Sequence, residues 1–437
     1  MKSRIVIVGG GTGGMVAAYE MQEALGDLYE VVLISDVDYF QFYPSNPWVA
    51  VGWRKREDIT FPIRPYVERK GITFLDRAVV SCNAEQNTLT LSDGQVIAYA
   101  YLLIATGAKL DFAAVPGSGP HEGWSESVCT VDHAEHAYGR YLKFLQNPHA
   151  LVIGALPGAS CFGPAYEYAL IIASDLKKRG LQNKVSLSFV TSEPYIGHMG
   201  LGGVGKSRDV LTKRLHEEGF DIYTNAAVTH LDADKVYFDE KDSLGKTIRS
   251  HAIESQFSML LPAFKGVSVW SQVPGLCNEN GLIQVDSYMR SEKYCNIFAV
   301  GLSIALPPVE ETPVLTNIPK TGYMIESMVT SIVTNLKNEI RNHKIDKVLP
   351  TLNAVCMADM GDSGLVFVAL PQTKPRRVDW FTEGRWVHLA KVAFEKYFIH
   401  KMKTGHSEPT YEYLTFRLLG ITRTMKEPNS DSARKAG

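Results

Sequence analysis

Arg4-Ile-Val-Ile-Val-Gly-Gly-Gly-Thr-Gly-Gly-Met-Val-Ala-Ala18 decides the fold. A short apolar run leads into glycines at the G-x-G-x-x-G spacing (Gly9, Gly11 and Gly14), and helix-forming residues follow. Gly9 allows the tight turn, Gly11 lets backbone approach a pyrophosphate, and Gly14 with Ala18 lets helix and strand close on each other. Thr12 and Gly13 fall in the first helical turn, where free N–H groups and the positive dipole end suit phosphate. The stretch predicts a strand–turn–helix unit that binds FAD or NAD.

Working outward, Val31-Val-Leu-Ile-Ser35-Asp36 reads as the second strand of that unit, with Ser35 and Asp36 competing for the ribose contact. Tyr99 to Leu103 is a further apolar strand and enters Ile104-Ala105-Thr106-Gly107. A strand ending in Ala-Thr-Gly resembles the segment that passes beside FAD in flavoproteins with two dinucleotide domains. A second, degenerate copy starts near residue 150: a strand at Leu151–Gly154, a glycine-rich loop through Cys161 to Gly163, a helix from Pro164 to Lys178 and a strand at Ser186–Val190. Pro164 suits a first helical turn, where its missing N–H costs nothing. The loop is longer than the fingerprint and carries a cysteine and a Phe, so its nucleotide signal is weak. Gly281–Asp286 and Cys295-Asn-Ile-Phe-Ala-Val-Gly301 return to the first unit, with Leu302 where an Asp ordinarily touches the ribityl chain.

The expected fold class is therefore α/β, with two Rossmann-like dinucleotide-binding domains plus a C-terminal amphipathic-helix membrane-binding region. Residues 1–115 and 281–378 form the discontinuous FAD domain, 116–280 the second domain with Cys129 and Cys161, and 379–437 the C-terminal region. At 437 residues the chain is too long for one ordinary core. A net charge of -2 excludes a broadly basic nucleic-acid surface. No cleavable signal peptide is visible at the N-terminus. The nearest approach to a spanning segment, Leu151 to Ile172, is broken by Pro157, Pro164 and Glu167. Cysteines 82, 129, 161, 277, 295 and 356 form no C-x-x-C pair and fit no zinc module, so no metal is expected.

From Trp380 onward ten Lys and Arg stand against six Asp and Glu, net +4, leaving -6 for the rest of the chain. Between Trp386 and Met402, Trp386, Leu389, Ala390, Ala393, Phe394 and Tyr397 share one helical face, with His388, Lys391 and Glu395 opposite. Tyr411 to Leu419 is a second apolar-aromatic stretch. Two arrangements fit equally: a helix packed on the body, or insertion into one leaflet with lysines on headgroups.

Several longer strings are more specific. Phe40-Gln-Phe-Tyr-Pro-Ser-Asn-Pro47, Ser127-Val-Cys-Thr-Val-Asp-His133, Gly158-Ala-Ser-Cys-Phe-Gly-Pro164 and Ser192-Glu-Pro-Tyr-Ile-Gly-His198 resemble bacterial sulfide:quinone oxidoreductases. So do Pro319-Lys-Thr-Gly-Tyr-Met-Ile-Glu326, Asn353-Ala-Val-Cys356 and Gly384 to Phe398. The resemblance runs from residue 4 to about residue 424.

It implies a bacterial, monotopic, peripheral cell-membrane flavoprotein that oxidises sulfide to polysulfide or sulfur and passes two electrons from FAD to a membrane quinone. Cys161 and Cys356 match the redox pair, Cys129 the third family cysteine, and His133 and His198 the histidines given to proton handling or to setting cysteine reactivity. Hydrosulfide attack on a disulfide or polysulfide sulfur leaves a persulfide and a thiolate, and near neutral pH that asks for a cysteine of lowered pKa. The helix N-terminus after Cys161 is the expected local cause. Cys356 is read as the flavin-facing thiolate and Cys161 as the sulfur carrier, with the order open. Lys320 would place positive charge at the reduced flavin, Gly322 and Asn353 would line the quinone entrance, and Phe394 and Tyr411 would enclose the quinone ring. Partners are thus sulfide, quinone and the bilayer surface, with no nucleic acid; a homo-oligomer stays open. A type II NADH dehydrogenase, a flavocytochrome c-type sulfide dehydrogenase and a non-catalytic sulfide sensor are the competing readings.

Overall fold

The computed structural model describes residues 2–343 and 346–427; the C-terminal end of the expected 379–437 region lies outside the described residues. Arg4–Val8 (β1) is joined by Thr12–Leu25 (α1) to Glu30–Ser35 (β2), and Thr73–Asp76 (β3) and Tyr101–Ile104 (β4) complete the first run. All four strands are parallel, in the order β4-β1-β2-β3. Ile5, Val6, Ile7 and Leu33 are fully buried because helices cover both faces of such a sheet.

Val131–Phe144 (α2) opens a second unit. Ala150–Ala155 (β5), Gly163–Lys178 (α3), Ser186–Thr191 (β6), Phe220–Tyr223 (β7) and Phe257–Leu261 (β8) follow, with parallel order β7-β6-β5-β8. The chain then returns to the first sheet, where Ile297–Ala299 (β9) adds in parallel beside β4, and Gly322–Ile340 (α4) packs on α1. Gly281–Asp286, where the first unit was expected to resume, makes only isolated bridges.

An antiparallel three-stranded sheet closes the molecule: Ala354–Asp359 (β10), Gly364–Leu370 (β11) and Val378–Gly384 (β12). Arg385–Thr404 (α5) and Thr410–Leu418 (α6) follow it. β10 lies against both α3 and α5, so that strand brings the second unit and the C-terminal helices together. No described helix is long and apolar enough to cross a membrane.

The face of α5 turned inward carries charged residues among apolar ones: Val387, Phe398 and Met402 are buried beside them. Lys391 and Glu395 are buried, while Trp386 and Leu389 stand 53% and 70% exposed. Trp380, Tyr411, Tyr413, Leu414, Leu418 and Leu419 extend the exposed apolar surface onto β12 and α6. α5 packs on the body through Val387, Phe398 and Met402, one of the two expected arrangements, while leaving Trp386 and Leu389 exposed.

Candidate functional site

The first glycine turn is built as the fingerprint requires. A Cβ at Gly14 would lie 1.7 Å from the carbonyl oxygen of Gly9, and one at Gly9 2.3 Å from that of Ala105. A Cβ at Gly11 would meet nothing, so the turn presents bare backbone on its open side. Gly11 caps α1 without a side-chain hydrogen bond, and no acidic residue occupies the first turn at Thr12 and Gly13. Its free N–H groups are a ready acceptor for a pyrophosphate. Ser35 is buried at the end of β2 and accepts from the N–H of Val37 at 3.3 Å, while Asp36 is exposed beyond it. Thr106 accepts from the Trp270 indole at 3.1 Å, and Gly107 donates to Ser303 Oγ at 3.0 Å.

A second anion-accepting corner lies at the N-terminus of α4. Thr321 caps it without a side-chain bond, and its hydroxyl is buried without a partner. Gly322 leaves open space where a Cβ would stand. Burial pushes the Lys320 ammonium down to about 8, with no carboxylate to offset it. Gly301 donates to Met328 Sδ at 3.5 Å, tying the end of β9 to α4. A half-buried, partly desolvated cation just before the α4 cap, where helix N–H groups are unused, fits a cofactor that becomes anionic, such as FAD on reduction.

Cys161 precedes α3, Cys356 lies on β10 and Cys129 ends just before α2; all are free thiols. β10, which carries Cys356, packs on α3, which begins just after Cys161, and both Cys356 and Cys129 act electrostatically on Cys161. The expected lowering by the helix N-terminus does not hold. Desolvation pushes Cys161 up to about 12, and Cys356 and Cys129 up to about 11. Cys161 itself is exposed, and the neighbouring Cys356 and Cys129 add to the rise. Tyr43, whose hydroxyl feels both Asp36 and Cys129, sets Cys129 on the side of the first nucleotide unit.

The two histidines differ. His198 accepts the N–H of Gly200 at Nδ1 (3.1 Å), which fixes the tautomer so that Nε2–H donates to Glu310 at 2.7 Å. Both nitrogens hold the loop, and burial pushes the ring's pKa down against the raising pull of Glu310. His133 has a buried Nδ1 without a partner and rests against Phe112 and His121. Its pKa is likewise lowered, by burial first and then by His121.

The loop of the second unit is filled by the chain itself. Gly158 N–H donates to Leu315 (2.7 Å), Asn317 Nδ2 donates to Gly158 (2.8 Å), and Leu156, Ala159 and Phe162 are buried. Asn353 is buried and donates to Thr422 at 3.3 Å. Phe394 packs against Phe42 and Phe398, and the exposed Tyr411 against Tyr397, so each ring has its own neighbours.

The family model for pyridine nucleotide-disulphide oxidoreductases matches residues 3–302. A sulfide-quinone reductase of Aquifex aeolicus is 40% identical over 414 residues, covering 94% of each chain. The X-ray structure of the sulfide:quinone oxidoreductase from Aquifex aeolicus superposes with a TM-score of 0.93 at 38% identity, covering 98% of both chains. The chain belongs to the sulfide:quinone oxidoreductase family. NDH2 of Plasmodium falciparum, solved with NADH, shares the fold at a TM-score of 0.70 and 16% identity, covering 97% of this chain and 99% of that one. Within a sulfide:quinone oxidoreductase the grouped cysteines acquire a context that their spacing alone did not give.

Sequence reading noted Glu167 and Lys391 separately but not their pairing: they meet in a buried ion pair between α3 and α5. The available signal was a lone carboxylate inside the apolar stretch Ala165 to Ile172.

Proposed function

We propose that this enzyme oxidises hydrosulfide at the Cys161–Cys356 pair and passes two electrons through FAD to a quinone. The observation that carries the reading is that β10, which holds Cys356, packs on α3, which begins just after Cys161, with Cys129 also within electrostatic reach of Cys161. Gly9, Gly11, Thr12, Gly13 and Gly14 would hold the pyrophosphate, Ser35 and Asp36 the ribose end, and Ala105, Thr106, Gly107 and Gly301 would flank the cofactor. When bound, FAD supplies a two-electron acceptor that hands its electrons to the quinone. Hydrosulfide attacks a sulfur of the oxidised pair, the S–S bond breaks, and a persulfide and a thiolate result. His133 has a free nitrogen for a proton; His198 is read as a loop-holding residue.

The second glycine loop, hydrogen-bonded to Leu315 and Asn317, supports sulfide rather than a nicotinamide nucleotide as the donor. The outward apolar surface of α5 and α6 supports one-leaflet membrane docking. Gly322, Asn353, Phe394 and Tyr411 are read as the quinone side. The test is anaerobic: flavin absorbance is followed on adding sulfide, or NADH to a separate sample, each then followed by a short-chain quinone. Bleaching by sulfide and recovery with quinone, with no response to NADH, is the expected result; bleaching by NADH alone would overturn the reading.

A further inference from the structure

The Glu167–Lys391 ion pair is almost wholly out of solvent, with 6% and 1% of the two side chains exposed. A buried pair of this kind is seldom a gain in stability, because desolvation of two charges offsets their attraction. Its position suggests another use. Glu167 lies on α3, the helix that begins just after Cys161, and Lys391 lies on α5; both helices pack on β10, which carries Cys356. The Lys391 ammonium also sits 4.6 Å from the centroid of the Trp48 ring.

The charged groups around Cys356 can be enumerated element by element. From α3 comes Glu167, and from α5 come Lys391 and His388. His388 is committed to Asp359 of β10 itself (2.8 Å), which also accepts from Trp48 (2.8 Å). Opposite Cys356 on β11 is Phe367, which is apolar. From α4, Glu326 is engaged with Lys401 and Arg423. From the cysteine loop comes only Cys161. Glu167 and Lys391 are therefore the pair that bears on the thiol, with opposite signs: the carboxylate raises its pKa and the ammonium lowers it.

We propose that Glu167 and Lys391 are positioning residues for Cys356: ionisation of the thiol is matched by protonation of Glu167, and Lys391 becomes the counter-ion of the thiolate. The S–H bond breaks, an O–H bond forms on Glu167, and the buried triad keeps zero net charge. Loss of the proton to solvent would instead leave a net negative charge in the interior, which is costly. Burial raises the Glu167 pKa, which narrows the gap between the carboxylate and the thiol.

The inference rests on the proposed redox role of Cys356, and the experiment separates the two. The thiol-reduced holoenzyme is alkylated with iodoacetamide between pH 6 and pH 10, and the Cys356 peptide is followed by mass spectrometry. Lys391→Met should slow alkylation at a given pH and Glu167→Gln should speed it, each on the order of tenfold, the effect of one pKa unit. Lys391→Arg, which keeps the charge, should follow the unsubstituted enzyme, and it stands in if Lys391→Met does not fold. Profiles for the two neutral variants that shift in the same direction, or do not shift, would overturn the proposal. Sulfide bleaching of the flavin in Cys356→Ser is measured separately: bleaching retained would remove the redox role while leaving the thiol titration valid.

Discussion

Lys320 shows how a single buried charge is set against the stability of its own fold. The unfolded chain holds this lysine near 10.5 and the folded chain near 8. Below pH 8 both states are protonated and the folded state bears the full cost of the buried charge, on the order of 3 kcal/mol. Between pH 8 and 10.5 the unfolded state binds the extra proton, so stability rises with pH through that window. Lys320→Met should therefore raise the melting temperature of the FAD-stripped protein at pH 7 and flatten its pH dependence. In the FAD-loaded enzyme it should lower the flavin reduction potential, measured by dye equilibration, because the reduced anion loses its cation. Phe394 invites a second prediction at this scale. If its ring borders the quinone, Phe394→Ala should raise the KM for quinone several-fold with the sulfide bleaching rate unchanged. An unchanged KM would take it out of that pocket. Lys320 was legible in the sequence as a family position, but its isolation from carboxylates was not, since that depends on which side chains the fold leaves out.

At the scale of elements, α1 and its glycine turn were readable because their physics is local: close approach of Gly14 to Gly9 is dictated by residues five apart. The amphipathic pattern of α5 was equally visible, yet its orientation was not. A helical period states that there are two faces and is silent on which one faces in. The choice is made by distant residues: Glu167 takes Lys391, Arg54 takes Glu395 at 3.0 Å, and Asp359 takes His388. Once those partners draw the charged residues inward, Trp386 and Leu389 are left outward. Leu389→Asp combined with Leu418→Asp should abolish sedimentation of the enzyme with phospholipid vesicles. Both side chains are exposed, so the melting temperature should move little, since surface substitutions usually fall within about 0.5 kcal/mol. Vesicle binding that survives the double substitution would place the membrane contact elsewhere. The cysteine cluster was likewise invisible to spacing, because three loops and strands from different parts of the chain assemble it.

On the scale of the whole molecule, one ionic knot fastens the C-terminal helices to the first nucleotide unit. Arg423, 2% exposed in its side chain, reaches Glu326 of α4 at 2.9 Å, Glu20 of α1 at 3.2 Å and Glu412 of α6 at 3.0 Å. Lys401 of α5 adds bonds to Glu326 at 2.7 Å and Glu412 at 3.0 Å. With Glu408 at 3.4 Å from Arg423, four carboxylates face two cations, so not all of them sit easily as anions. Glu20 bears the strain: burial lifts its pKa from 4.5 to about 7, against the lowering pull of Arg423, Ser407 and Thr330. The sign follows from proton counting. Below pH 4.5 both folded and unfolded chains hold the proton and Glu20 contributes no pH dependence. Between 4.5 and 7 the folded chain binds more protons, so stability falls as pH rises, and above 7 the full cost is present. Glu20→Gln keeps a carbonyl to accept from Ser407 and Thr330 while removing the charge. It should stabilise the protein at pH 8 by roughly 1–3 kcal/mol and leave it nearly unchanged at pH 4.5. Denaturant unfolding at the two pH values checks this, and an equal effect at both would mean that Glu20 stays ionised and that the knot carries its excess charge on another carboxylate.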